Sequence, residues 1–327
     1  MDYVNLGASG LKVSRVCLGC LTFGSKAWRP WVLEDAEALP LIKRSLDAGI
    51  NFFDTADFYS RGASEEVLGR ALKALGVPRH RVVISTKVGL PVGDDPNARG
   101  LSRKHIRHAI EDSLRRLGVD YVDLYQIHRF DAGTPMDEAL GALDDVVRAG
   151  HALYIGASSM HAWQFARLLA RCRELNAARF VTMQSHYNLV YREEEREMIP
   201  LCRAEGVGVL PWSPLARGYL AGNRSAGREG TVRAKTDDIA RHFYVHDSDP
   251  LVLDRLGEVA RRRGVSTAQV ALAWLLHQPG VTAPLVGASR PQHVDDACKA
   301  VELKLDADEI KSMTEPYKAH PVIGHHA

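Results

Sequence analysis

Three ionisable side chains follow short apolar runs: Asp54 after Ile50–Phe53, Lys87 just past Val82–Ile84, and His128 after Val122–Ile127. Taken singly, Asp54 also reads as a turn cap and His128 as a hydrogen-bonded core histidine. Lys87 is harder to read that way, because an ammonium leaving a buried strand must be paired. A carboxylate on the neighbouring strand, Asp54, is the obvious partner. Tyr59 lies in the loop that follows Asp54, so its phenol can return beside Lys87.

Such a cluster suits reduction of a carbonyl group, which needs a hydride donor and an acid for the developing alkoxide. A tyrosine, with a pKa of about 10, is a weak acid near neutrality, and a cation such as Lys87 stabilises its phenolate. His128, neutral and donating from one ring nitrogen, can polarise the carbonyl oxygen or assist Tyr59. No side chain donates hydride, so a cofactor is required. Neither G-x-G-x-x-G after a strand nor G-x-x-x-x-G-K-[ST] occurs, so a dinucleotide must bind without a Rossmann unit. Side chains behind the later apolar runs offer contacts: Ser158, Ser159 and Gln184 for a carboxamide, and Trp212 for a flat ring. Backbone N–H groups from Ser213 through Pro214, Leu215 and Ala216 to Arg217 can take a pyrophosphate.

The elements that must position these groups are eight apolar runs, the remaining five being Val16–Leu18, Ala152–Ile155, Val181–Met183, Val207–Leu210 and Val281–Val286. Helical patterns separate most of them. The clearest is the stripe Ile106, Ala109, Ile110, Ser113, Leu114, Leu117, capped by Ser102 and ended by Gly118. Strands alternating with helices pair in parallel through right-handed crossovers, and eight such units predict a (β/α)₈ TIM barrel. The functional residues then converge on its C-terminal rim. Tyr3–Val13, with the turn Gly7-Ala8-Ser9-Gly10, predicts an N-terminal hairpin that plugs the opposite mouth. Leu215–Asp249 predicts a long functional loop after the seventh barrel strand. Pro250–Arg263 and Ser266–His277 predict helices, the second opened by the capping box Ser266-x-x-Gln269. One domain over 1–327 is expected, with a patternless, flexible tail from about residue 318.

Composition narrows the function classes. A net charge of +2 gives no electrostatic case for nucleic acid or an anionic membrane. The start, MDYVNL, is no signal peptide, and no apolar run is long enough to span a bilayer, so a cytoplasmic location is expected. Five scattered cysteines argue for reduced thiols. Cys17 and Cys20 form one C-x-x-C pair, but in a strand, positions three apart face opposite ways. The first strand ends Leu18-Gly19-Cys20 without an H-x-H pair, so no catalytic metal is expected, and a metal-dependent barrel hydrolase is disfavoured.

The segments Asn51-Phe52-Phe53-Asp54-Thr55-Ala56-Asp57-Phe58-Tyr59, Ser85-Thr86-Lys87, Gln126-Ile127-His128, Gly156-Ala157-Ser158-Ser159 and Trp212-Ser213-Pro214-Leu215-Ala216 together resemble the aldo-keto reductases. The resemblance covers nearly the whole chain in order and is nearest the branch of potassium-channel β subunits and their bacterial relatives. It implies an NADPH/NADP⁺-dependent reductase of aldehydes or ketones with the tetrad Asp54, Tyr59, Lys87 and His128, Tyr59 being the proton donor. It also implies Cys20 and Asp54 near the nicotinamide. Arg233, Gly287, Ser289, Arg290, His293 and Asp296 would surround the adenosine phosphate and adenine. Ser159, Leu21, His293 and Ala297 depart from the usual residues, which bears on adenine contacts and pocket shape. The expected partner is a small-molecule carbonyl substrate, and the resemblance suggests a homo-oligomer of four or eight chains as often as a monomer. A nucleotide-binding regulatory subunit similar to the channel β subunits is the alternative, against which His128 speaks, since those relatives tend to have Asn there.

Overall fold

The computed structural model describes residues 1–222, 232–237, 243–244 and 246–325. Its main sheet has eight parallel strands: β3 (Cys17–Gly19), β4 (Phe52–Asp54), β5 (Val83–Val88), β6 (Val122–Ile127), β7 (Ala152–Ser158), β8 (Phe180–Gln184), β9 (Gly208–Val209) and β10 (Leu285–Val286). Each pairs with the next in sequence, and β10 returns to β3. Thr282 N–H donates to Val209 O and Leu285 N–H to Pro211 O, both at 2.8 Å, so the last segment also joins β9 and closes a barrel. Helices α1 (Asp35–Asp47), α2 (Ala63–Ala74), α3 (Arg103–Leu117), α4 (Met136–Arg148), α5 (Ala162–Glu174) and α6 (Met198–Glu205) fill successive crossovers. The predicted (β/α)₈ barrel is the observed fold.

Side-chain alternation along these strands decides what the barrel encloses. Cys17, Phe52, Val83, Leu124, Leu210, Ala283 and Leu285 form one apolar cluster with Leu6 and Val13 of the N-terminal hairpin, β1 (Tyr3–Asn5) and β2 (Lys12–Ser14). The hairpin thus closes the N-terminal mouth as expected. Two residues further along β5 and β6 the same face carries Ser85 and Gln126, and two further on β5 it carries Lys87. The outward residues Phe53, Ile84, Tyr125, Ile127 and Met183 pack in the larger cluster that includes the helices.

The local signals are largely obeyed. Ser102 Oγ accepts His105 N–H ahead of α3, and Gly118 ends the helix in the left-handed region. Helices α7 (Val232–Thr236), α8 (Asp249–Arg263) and α9 (Thr267–His277) precede β10, and α10 (Pro291–Glu302) and α11 (Ala307–Thr314) follow it. The capping box at α9 is only half made. Ser266 Oγ accepts Gln269 N–H, but the Gln269 amide donates to Asp296 Oδ1 at 2.6 Å, a charge-assisted bond that ties up the side chain whose oxygen would have accepted Ser266 N–H. Cys20 opens a 3-10 turn after β3 instead of continuing the strand, and both Cys17 and Cys20 are buried in different clusters. Within the long segment after β9, residues 223–231, 238–242 and 245 lie outside the described residues, as do the last two residues of the tail. Up to residue 325 the tail lacks regular structure but is anchored. Glu193 accepts His320 N–H at 2.8 Å and Tyr317 Oη–H at 2.6 Å, Ile323 N–H donates to Tyr191 Oη, and His325 Nε2 lies 3.0 Å from Glu194.

The seating of the hairpin generates a prediction. Gly7 has φ +58°, and a Cβ there would lie 2.5 Å from Val181 O and 2.8 Å from Gly206 O and Gly208 N, all rigid backbone. Gly7→Ala should lower urea-unfolding stability by about 1–3 kcal/mol or more, as overpacking against fixed atoms does. Gly10→Ala, which meets nothing within 4 Å, should be nearly silent. Equal midpoints for both variants would contradict the hairpin's role as a plug.

Candidate active site

Asp54 is the hub of the barrel mouth. Its Oδ2 pairs with Lys87 Nζ at 2.5 Å, while Oδ1 accepts Ser85 Oγ–H at 3.1 Å, the Gln126 amide at 3.1 Å and the Gln184 amide at 3.0 Å. Strands β5, β6 and β8 therefore each send a polar side chain to the one carboxylate carried by β4. The pairings Asp54↔Ser85 and Lys87↔Gln126 set that register. Space for it comes from β7, where the register shifts at Gly156. A Cβ there would stand 2.2 Å from Thr182 Oγ1 and 3.0 Å from Gln126 Cγ. Lys87, completely buried, also donates to Thr55 O at 2.8 Å and reaches Tyr59 Oη at 3.2 Å. Burial opposes its charge, but Asp54 and then Tyr59 outweigh that and hold its pKa above the ordinary lysine value.

Tyr59 opens a short turn in which Ser60 and Arg61 both take φ +52°. Such non-glycine conformations carry strain, and among the described residues six of the seven lie at this rim: Ser60, Arg61, Ser159, Ser213, Ala216 and Arg217. The rim backbone is thus held by its surroundings rather than by its own preference. Burial pushes the Tyr59 phenol above its usual value, with Lys87 pulling down and Asp54 pushing up. Lys87 acts on the phenol in the expected direction, but desolvation exceeds the pull of the ammonium and sets the net shift. His128 stacks edge-on to Tyr59 at 5.7 Å and to Phe58 at 6.3 Å, and Phe58 meets Trp28 at 5.9 Å. Burial, then Lys87 and Arg129, hold the imidazole well below the ordinary histidine value, so it is neutral. Its Nδ1 has no partner among the described residues.

The other candidate residues fall into groups. Ser158 Oγ donates to Gln184 O, Trp212 Nε1 donates to Ser159 Oγ at 2.8 Å, and Cys20 is buried beside β3. Gln184 spends its amide on Asp54, a tie that its strand-end position alone did not reveal. Ser213, Ala216 and Arg217 form the left-handed turn, joined by Pro214 and Leu215. Arg217 and Arg233 converge on Asp237, Arg233 at 3.1 Å, and Arg233 also lies over Trp31 at 4.3 Å. Gly287, Ser289 and Arg290 lead into α10, where His293 Nδ1 lies 3.2 Å from Ser289 N, and Asp296 accepts the Gln269 and Gln292 amides. Sequence reading missed Ser85, Gln126, Arg129 and His186. Arg129 donates to His128 O at 2.6 Å and is 6.0 Å from the Trp212 ring. His186 is sandwiched between Tyr191 at 4.0 Å and Trp212 at 4.2 Å, nearly parallel to both. Only the polar, inward periodicity of β5 and β6 could have signalled Ser85 and Gln126.

The asymmetry of the central pair is testable. Removing Lys87 leaves Asp54 with three neutral donors, whereas removing Asp54 leaves a buried ammonium facing one carbonyl and one phenol. Asp54→Ala should therefore destabilise by about 3–5 kcal/mol, and Lys87→Met by less, in denaturant unfolding at pH 7. The opposite ranking would show that the hub carboxylate is not what holds this network.

The chain has close relatives in sequence. The family model described as Aldo/keto reductase family matches residues 15–318. The chain is 45% identical to a versiconal hemiacetal acetate reductase of Aspergillus parasiticus, over 97% of both chains. It is 44% identical to a putative aryl-alcohol dehydrogenase of Schizosaccharomyces pombe, over 98% of this chain and 97% of that one. An aldo-keto reductase of Metarhizium robertsii is 41% identical over 99% and 93%. A family match across nearly the whole barrel, together with relatives this similar end to end, means that this chain belongs to the aldo/keto reductase family.

Proposed function

We propose that this protein is an NADPH-dependent reductase of aldehydes or ketones, with Tyr59 as proton donor. The carrying observation is that Lys87 Nζ sits between Asp54 Oδ2, at 2.5 Å, and Tyr59 Oη, at 3.2 Å, in a fully buried position. The carbonyl oxygen rests between Tyr59 Oη and neutral His128, which orients it without adding charge. Tyr59 gives its proton to the developing alkoxide, and Lys87 stabilises the phenolate left behind. Asp54 keeps Lys87 charged and aimed.

NADPH supplies the hydride when bound. Ser158, Ser159 and Gln184 would hold the carboxamide, Trp212 the ring face, Cys20 the ribose side, and Ser213–Arg217 the pyrophosphate. Arg217 Nε, buried and without a partner among the described residues, fits an anion there. The N-terminus of α10 with Ser289, Arg290 and His293, supported by Gly287 and Asp296, would receive the adenosine phosphate, with Arg233 as a further cation.

The aromatic run Trp28–Phe58–His128–Tyr59 favours a substrate with a flat aryl body, as does the name of the putative aryl-alcohol dehydrogenase among the relatives. A cytoplasmic location and a homo-oligomer of four or eight chains complete the reading. Among the described residues no helix is long and apolar enough to cross a membrane. The resemblance to the channel β subunits suggests a regulatory, nucleotide-reporting role instead. The neutral His128 beside Tyr59 favours catalysis. NADPH oxidation against aryl and aliphatic aldehydes, ketones and diketones tests the proposal, and the absence of turnover with every class would leave the regulatory reading standing.

Tyr59→Phe should lower kcat by about 10²–10⁴-fold, the usual worth of a positioned acid, with NADPH affinity by fluorescence nearly unchanged. The pH profile adds a signed test. Reduction needs the phenol protonated, and burial raises its pKa, so the basic limb of kcat/KM should lie above the ordinary tyrosine value. His128, depressed, should add no acid limb near its ordinary value. Lys87→Met removes a lowering influence and should move the basic limb further up while slowing turnover. A limb that moves down would refute the assigned role of Lys87.

Cofactor choice gives a separate prediction. Hydrogen bonds to charged groups contribute about 1.5–3 kcal/mol, so Arg290→Ala should weaken NADPH by roughly 10- to 100-fold while hardly changing NADH. Arg233→Ala and the double variant should follow the same direction in kcat/KM. A double variant with undiminished NADPH preference would place the phosphate elsewhere.

A further inference from the structure

We propose that His246, Asp249 and His320 form a site for a divalent transition-metal ion of the zinc class, outside the barrel mouth. One ligand atom from each residue lies within 4.8 Å of the others. Asp249 and His320 are buried and His246 is partly so. Two imidazoles and a carboxylate are a donor set that zinc accepts readily, with water completing a four-coordinate shell. Ligand atoms about 2.0–2.1 Å from a shared ion stand about 3.4 Å apart, so small side-chain rotations would close the triangle.

The hydrogen bonds around the cluster argue for a cation. His320 Nδ1 faces Lys318 O at 2.9 Å, and a carbonyl only accepts, so Nδ1 carries the ring proton. The lone pair of Nε2 then points at Asp249 Oδ1, 3.1 Å away, another acceptor. Two acceptors at that distance need a shared proton or a metal cation between them. A proton joins only those two atoms, whereas a metal ion also engages His246, whose ring centroid is 4.3 Å from that of His320. His246 is prepared for this when its Nδ1 donates to Ser248 Oγ at 2.9 Å, which frees Nε2. Metal binding would select that tautomer over the one in which Nδ1 accepts Ser248 N–H at 3.3 Å. Asp249 Oδ2 is in turn held by His246 N–H at 3.2 Å. Outer contacts of this kind, a carbonyl on one ligand histidine and a hydroxyl on the other, orient metal ligands.

The ion would tie the tail, through His320, to the start of α8. His320 stacks on Tyr317 at 5.2 Å and meets Tyr191 edge-on at 6.2 Å, and Tyr191 stacks on His186 behind Trp212. The site is therefore structural, a clasp on the wall that backs the Trp212 indole, and its occupancy can be read without any assay of turnover.

The full chain, stripped with chelator and dialysed, should take up one Zn²⁺ per chain in a calorimetric titration, and Co²⁺ should give the absorption of a four-coordinate ion. His246→Ala leaves the His320–Asp249 contact intact, so a loss there reports a lost ligand and not a lost tail. His246→Ala and His320→Ala should each weaken Zn²⁺ at least about 10- to 100-fold, the range that loss of even an outer-shell partner produces. His325→Ala, which removes the separate contact with Glu194, should bind like the parent. Absence of binding by the parent, or parent-like binding by His246→Ala, would overturn the proposal. Loss of binding in His325→Ala alone would overturn it as well.

Discussion

A charged pair inside the barrel governs the arrangement of everything at its C-terminal rim. An ammonium and a carboxylate removed from water are tolerated only if each finds near-complete polar compensation. Asp54 meets that requirement with Lys87 and donors from three strands, and Lys87 meets it with Asp54, Thr55 O and Tyr59. Neither could be satisfied by residues near it in sequence. The barrel is what brings β4, β5, β6 and β8 within hydrogen-bond reach of one point, and so the pair and the fold depend on each other. The same pair reaches Tyr59, whose phenol feels burial, cation and anion together.

Around this core the rim is built from backbone that does not prefer its own conformation. Left-handed residues cluster in the turn after Tyr59, at Ser159 and along Ser213–Arg217. Each lies next to a compensating contact: Ser60 Oγ takes Ser25 N–H, Ser159 Oγ takes the Trp212 indole, and Arg217 pairs with Asp237. Trp212 is further fixed by the parallel stack with His186 and Tyr191, whose hydroxyl binds the tail. Rigidity at the mouth therefore comes from tertiary contacts.

The readings that succeeded and those that failed differ in range. Ser102, Gly118 and the apolar stripe between them act within one helix, and all three behave as their types dictate. The box at Ser266 was half wrong because a distant carboxylate, Asp296, claimed Gln269. The tail looked patternless because its order comes from Glu193 and Glu194, more than a hundred residues earlier. His186 and Arg129 carry no motif at all. Their roles exist only once Trp212 and His128 stand beside them.

The sequence by itself determined the alternation of strands and helices, the barrel class, the hairpin plug, and the placing of Asp54, Lys87 and His128 behind buried strands. Those properties follow from periodicity and from the intolerance of buried charge, which are local and chemical. Only the tertiary structure decided that Gln126, Gln184 and Ser85 share one carboxylate oxygen, that Arg217 and Arg233 meet at Asp237, and that the phenol of Tyr59 is raised rather than lowered. Register, depth of burial and the meeting of distant segments set these outcomes, because electrostatic strength depends on distance and solvent exclusion, and no spacing along the chain encodes either.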